Sequence, residues 1–132
     1  MKNKQALALA LGTFLVLAAC RKETACEQPT GIQGEWVWKK SVGGFGGWTL
    51  TPESEMKTQT LKIDDIFYEE YVNDSLILRV EYDLDIRDEV FFGTNQYLVL
   101  ETGTEYAAKV EDQKLELYEL CFDCFTHYYE RK

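Results

Sequence analysis

Apolar and polar residues alternate with period two through most of this chain. Leu76, Leu78, Val80, Tyr82, Leu84 and Ile86 alternate with Ile77, Arg79, Glu81, Asp83 and Asp85. Successive side chains of an extended chain point to opposite faces, so the pattern predicts a half-buried strand. Tyr106, Ala108 and Val110 alternate with Glu105 and Lys109, and Leu115 and Leu117 with Lys114 and Glu116. No window beyond the first 20 residues has convincing helical spacing. Turn signals recur every ~8–12 residues, the interval typical of all-β domains. They are Asn73-Asp74, Gly93-Thr94-Asn95, Thr102-Gly103 and Asp112-Gln113. The predicted strands are 35–42, 56–63, 66–73, 75–86, 88–92, 96–101, 104–111, 113–120 and 125–131. Neighbours joined by tight turns pair antiparallel. Eight or nine short strands in one small domain predict an all-β antiparallel meander that closes on itself, because closure removes exposed sheet edges. A barrel of about eight strands can hold one small ligand. A flattened sandwich of the same strands is the alternative.

The first 20 residues depart from this pattern. Lys2 and Lys4 precede an apolar segment from Ala6 to Leu17, and Leu17-Ala18-Ala19-Cys20 closes it. A membrane span needs roughly 20 apolar residues, and Arg21, Lys22 and Glu23 follow at once. A charged n-region, a short apolar h-region and small residues before a cysteine make a signal peptide. The run resembles the lipobox of bacterial lipoproteins. That resemblance implies cleavage before Cys20, acylation of Cys20, and stable anchoring to a membrane. It also implies an outer-membrane address, because Arg21 and not aspartate follows the cysteine. The expected organisation is a signal peptide over 1–19, a lipidated cysteine and flexible tether over 20–33, and one β-barrel domain over 34–132. Pro29 and Gly31 mark the tether.

Charge narrows the partners. With Lys2 and Lys4 removed, 12 basic residues face 23 acidic ones, net −11. Such a surface repels nucleic acid and anionic head groups, so no nucleic-acid partner is expected. The acids are dispersed and read as a solvated face.

Gly34-Glu35-Trp36 opens the first strand and Tyr129-Glu130-Arg131 closes the last. Trp36 and Trp38 share one strand face, as do Phe125, His127, Tyr129 and Arg131. The pair resembles the lipocalin signature, a Gly-x-Trp on the first strand with an arginine from the far end packed across the indole. With Trp38, Ser41-Val42-Gly43-Gly44, Thr51-Pro52-Glu53-Ser54 and Cys121-x-x-Cys124, the chain resembles small lipocalin-like lipoproteins of bacteria. The resemblance implies a lipocalin-like, calycin-type barrel in which Gly34, Trp36 and Arg131 are structural. A guanidinium over an indole contributes on the order of 1 kcal/mol. It implies an activity less directly, as binding of a small apolar or amphipathic ligand by Trp38, Phe45, Trp48 and Tyr106. The alternative is a filled barrel that meets another envelope protein. Residues 42–55 form the longest irregular piece. They read either as a lid over the barrel mouth or as a loop whose aromatics plug the core.

Cysteines follow from the compartment. Beyond Cys20 stand Cys26, Cys121 and Cys124. An oxidising envelope predicts one disulfide among them and one thiol left over. The preferred pairing joins Cys26 to Cys121 or Cys124, closing a loop of about a hundred residues. A thioredoxin-like site needs its Cys-x-x-Cys at a helix N-terminus, and a c-type haem needs histidine where Phe125 stands. Cys26, Cys121, Cys124 and His127 make a conceivable zinc set, but their spacing fits no familiar finger and oxidation competes for the thiols, so no metal is expected. No cofactor is expected either. His127 is the single histidine. No Gly-x-Ser-x-Gly elbow accompanies it, so it reads as a hydrogen-bonded interior residue and the protein as no enzyme.

Overall fold

A computed structural model describes residues 31–132. Strand β1 (Gly34–Gly43) is followed by β2 (Trp48–Leu50), a single helical turn α1 (Pro52–Glu55), β3 (Gln59–Ile63), β4 (Phe67–Val72), β5 (Ser75–Phe91), β6 (Thr94–Leu100), β7 (Glu105–Glu111), β8 (Lys114–Glu119) and β9 (Phe125–Arg131). Every adjacent pair is antiparallel, and β1 also pairs with β9. Eight strands therefore close into a barrel, and β2 extends the sheet beside the upper half of β1. The domain is the expected closed all-β meander and not a sandwich. Segments 1–19 and 20–30, with Cys20 and Cys26, lie outside the described residues.

The departures have local causes. Segments 75–86 and 88–92 are one strand of 17 residues. Between the pairs Ile86–Gln96 and Phe91–Thr94 the ladder skips four residues on β5 and one on β6. The charged run Arg87-Asp88-Glu89 thus sits in a bulge and does not end the strand. The turn after it is Phe92-Gly93, both with positive φ as a tight hairpin requires. Residues 42–55 are not irregular. They form the β1–β2 hairpin and α1, whose capping box pairs the Thr51 and Ser54 side chains with each other's backbone N–H. One helical turn is too short to leave a periodic signal, and it displaces the start of the next strand from 56 to Gln59.

Inward-facing side chains fill the barrel. Trp36, Leu61, Leu98, Leu115 and Leu117 have essentially no accessible surface, and Trp38, Ile63, Tyr68, Leu100, Ala108 and Tyr129 join them. Burying each large apolar side chain contributes about 1.5–3 kcal/mol. The long alternating strand is only partly interior. Leu78, Val80 and Tyr82 pack on the core, whereas Leu76, Leu84 and Ile86 are exposed because β5 overhangs its neighbours at both ends.

Candidate functional site

The tether end of the barrel is sealed. The Arg131 guanidinium lies 4.1 Å from the centre of the Trp36 ring. Its two terminal nitrogens donate to the backbone oxygens of Gln33 (2.7 Å) and Gly31 (2.9 Å). The Trp36 indole N–H donates to the Ile32 carbonyl at 2.7 Å. Gly34 is required here. Its φ is +140°, and a Cβ on it would lie 2.2 Å from an Arg131 nitrogen. Gly34, Trp36 and Arg131 pack as one unit.

At the other end a polar chain crosses the wall. The Trp38 N–H donates to Ser41 Oγ at 2.9 Å. Ser41 Oγ is 2.6 Å from His127 Nδ1, and His127 Nε2 is 2.9 Å from Glu119 Oε1. One proton arrangement satisfies all of it: Ser41 O–H donates to Nδ1, and Nε2–H donates to Glu119. The other Glu119 oxygen accepts the Phe125 N–H at 3.1 Å. A serine, a histidine and an acid in line invite comparison with a hydrolase triad. However, Ser41 is 3 % exposed and its oxygen is occupied by the Trp38 N–H. A nucleophile must reach its substrate, so this line fastens β1, β8 and β9 together. Ser41 and Glu119 escaped the sequence reading. The pairing of Ser41 with His127 spans 86 residues and exists only because β9 closes on β1.

Further acids and phenols lie beside it. Glu70, on β4, accepts a hydrogen bond from Gln59 Nε2 at 2.5 Å. Burial raises its carboxyl above the ordinary value, while His127 and Lys57 pull it back. Burial likewise raises the Tyr68, Tyr106 and Tyr129 hydroxyls.

The four residues read as ligand contacts do not converge. Trp38 is buried in the core and Tyr106 is half-buried at its edge. Phe45 is 95 % exposed and Trp48 64 % exposed, both at the β1–β2 hairpin. Neither plugs the core. A Gly47 N–H to Gly44 carbonyl bond of 3.0 Å tightens the hairpin tip.

A groove of about 610 Å³ lies instead on the outer wall. Phe91, Phe92, Tyr97, Phe122 and Phe125 line it. Tyr97 and Tyr118 alternate with the interior residues Leu98 and Leu117, which places them outside. The Phe92 ring stacks on Tyr118 with centroids 4.8 Å apart. Arg87 spans the upper edge, over the Tyr97 ring and bonded to Asp85 and Glu105. The β8–β9 turn forms one side, with Phe122 95 % exposed at its tip.

That turn carries the disulfide, and it joins Cys121 to Cys124. The preferred bridge from Cys26 to one of them is thereby replaced. The two-residue spacing lets the turn bring both Cα atoms to 5.4 Å, within bridging range. The Glu119 carboxylate and both cysteine sulfurs lie within 4.8 Å of one another. His127 is directed to Ser41 and Glu119, and Cys26 of the conceivable zinc set lies outside the described residues.

No known protein family, no curated protein and no solved structure matches this chain.

Proposed function

We propose that this chain is a lipid-anchored protein of the bacterial envelope whose filled barrel serves as a binding module for another envelope protein. Anchoring rests on the lipobox-like run ending at Cys20. The observation that carries the binding reading is the contrast between interior and surface. Trp36, Trp38, Tyr68 and Tyr129 are buried in the core, while Phe45, Trp48, Phe92 and Phe122 stand in solvent. Exposed aromatics around a groove are the composition of recognition surfaces. Dispersed acids around them keep the protein soluble and favour a partner with a basic rim.

A photo-crosslinker at position 92 or 122 in living cells tests this. A discrete protein adduct, absent when the crosslinker stands at position 84 in the cleft beside Gly31 and Gln33, is expected. A small apolar ligand is the second reading, favoured by the groove volume, which falls in the range of small-molecule sites. A lipophilic mass that survives native mass spectrometry and disappears in Phe92→Ser, with no protein adduct, would establish it instead.

A further inference from the structure

We propose that the β8–β9 turn is a redox-gated zinc site, formed by Glu119, Cys121 and Cys124 when the disulfide is reduced. It shares the β8–β9 turn with the groove proposed above but does not rest on that reading. Thiolate and carboxylate are both zinc ligands, and a Cys-x-x-Cys turn is a recurrent way to present two thiolates to one ion. The three ligand atoms already lie within 4.8 Å of one another, with the sulfurs joined. Asp123 takes the left-handed conformation, φ +61°, that folds the four-residue turn back on itself.

The carboxylate is held in advance. Glu119 Oε1 accepts from His127 Nε2 and Oε2 from the Phe125 N–H. Both partners orient the group and leave lone pairs free for a metal. His127 is itself held by Ser41, and Ser41 by Trp38. The line of hydrogen bonds across the barrel mouth therefore ends at the site as an outer layer of the kind that tunes metal affinity. His127 is a positioning residue, and water takes the fourth place in the tetrahedron.

The chemistry balances. An external dithiol attacks one sulfur, supplies two electrons and two protons, and leaves as its own disulfide. The freed Cys121 and Cys124 thiols then bind zinc and release two protons to solvent, with no change in the oxidation state of the metal. The gate is open to such a reductant. Cys121 is exposed, and the bridge closes only a four-residue turn, so it contributes less to stability than a bridge across a long loop.

The full chain, purified in detergent, is compared oxidised and after phosphine reduction, with zinc(II) alone as the probe. The reduced chain is expected to take up one zinc by native mass spectrometry, and the oxidised chain none. Cobalt(II) in place of zinc should give a thiolate charge-transfer band. Cys121→Ser and Cys124→Ser should each abolish the band, and Cys26→Ser should leave it unchanged. Glu119→Gln should weaken zinc binding at least tenfold. His127→Gln should weaken it about tenfold with the cobalt band retained, the mark of positioning. Circular dichroism accompanies every sample. Reduced protein that keeps its β-sheet spectrum without zinc uptake would overturn the proposal. So would reduced protein that loses the fold, since the ligands then have no scaffold, and so would uptake that persists in the Cys121→Ser, Cys124→Ser double variant.

Discussion

At the scale of single residues, Arg131 shows how one side chain serves two purposes. Its face covers Trp36 and its edge holds the Gly31 and Gln33 carbonyls. Lysine keeps the charge but loses the planar fork. Arg131→Lys is therefore expected to cost about 2 kcal/mol, a fall in Tm on the order of 10 °C, read by thermal unfolding. Glu70 gives a prediction in pH. Its carboxyl holds a proton more tightly folded than unfolded, because burial raises it above 4.5. In the window just above that value the native state binds more protons, so stability falls as pH rises through it. Glu70→Gln removes the titrating group and keeps an acceptor for Gln59. Its Tm should exceed that of the unaltered chain at about pH 7, and the difference should shrink at about pH 4. Gly34 and Arg131 were legible in the sequence as a pair. What the sequence could not convey was that the glycine is there to make room for the arginine.

At the scale of elements, the strands were legible because each carries period two and is closed by a turn residue. The bulge in β5 was not. Arg87-Asp88-Glu89 looks like an interruption, and only the pairing of Phe91 with Thr94 shows that the strand resumes. Nor could alternation reveal overhang, since Leu84 and Ile86 repeat the apolar pattern past the edge of the wall they would pack against. The two hairpins at the mouth touch through Gly43. Its φ is +152°, and a Cβ there would lie 2.2 Å from the Cys124 carbonyl. Gly43→Ala should therefore force the β1–β2 and β8–β9 hairpins apart, at a cost of about 1–3 kcal/mol. Phe45→Ser, two residues on and fully in solvent, should change stability by less than about 0.5 kcal/mol. Urea unfolding of the two variants side by side separates a structural glycine from an aromatic kept for contact.

At the scale of the molecule, the first strand of the barrel pairs with the last, so closure joins the two ends of the domain. The same closure made the candidate site hard to read, because Ser41 on β1 meets His127 and Glu119 of the β8–β9 hairpin only once the barrel shuts. Localisation belongs to this scale too. Cys20→Ser should move the protein from the membrane pellet to the soluble fraction on cell fractionation, and a variant that still pellets would refute the anchor. The grip of Arg131 on Gly31 then has a directional consequence. It holds Gly31, where the described residues begin, at the sealed end of the barrel. From Cys20 to Gly31 is 11 residues, a leash of at most about 40 Å. Strand β1 runs its ten residues, about 33 Å, away from that point toward the hairpins. Under the anchoring proposed at Cys20, the domain would stand with its sealed base toward the bilayer and its aromatic crown outward, facing what lies across the gap and not the lipid beneath it.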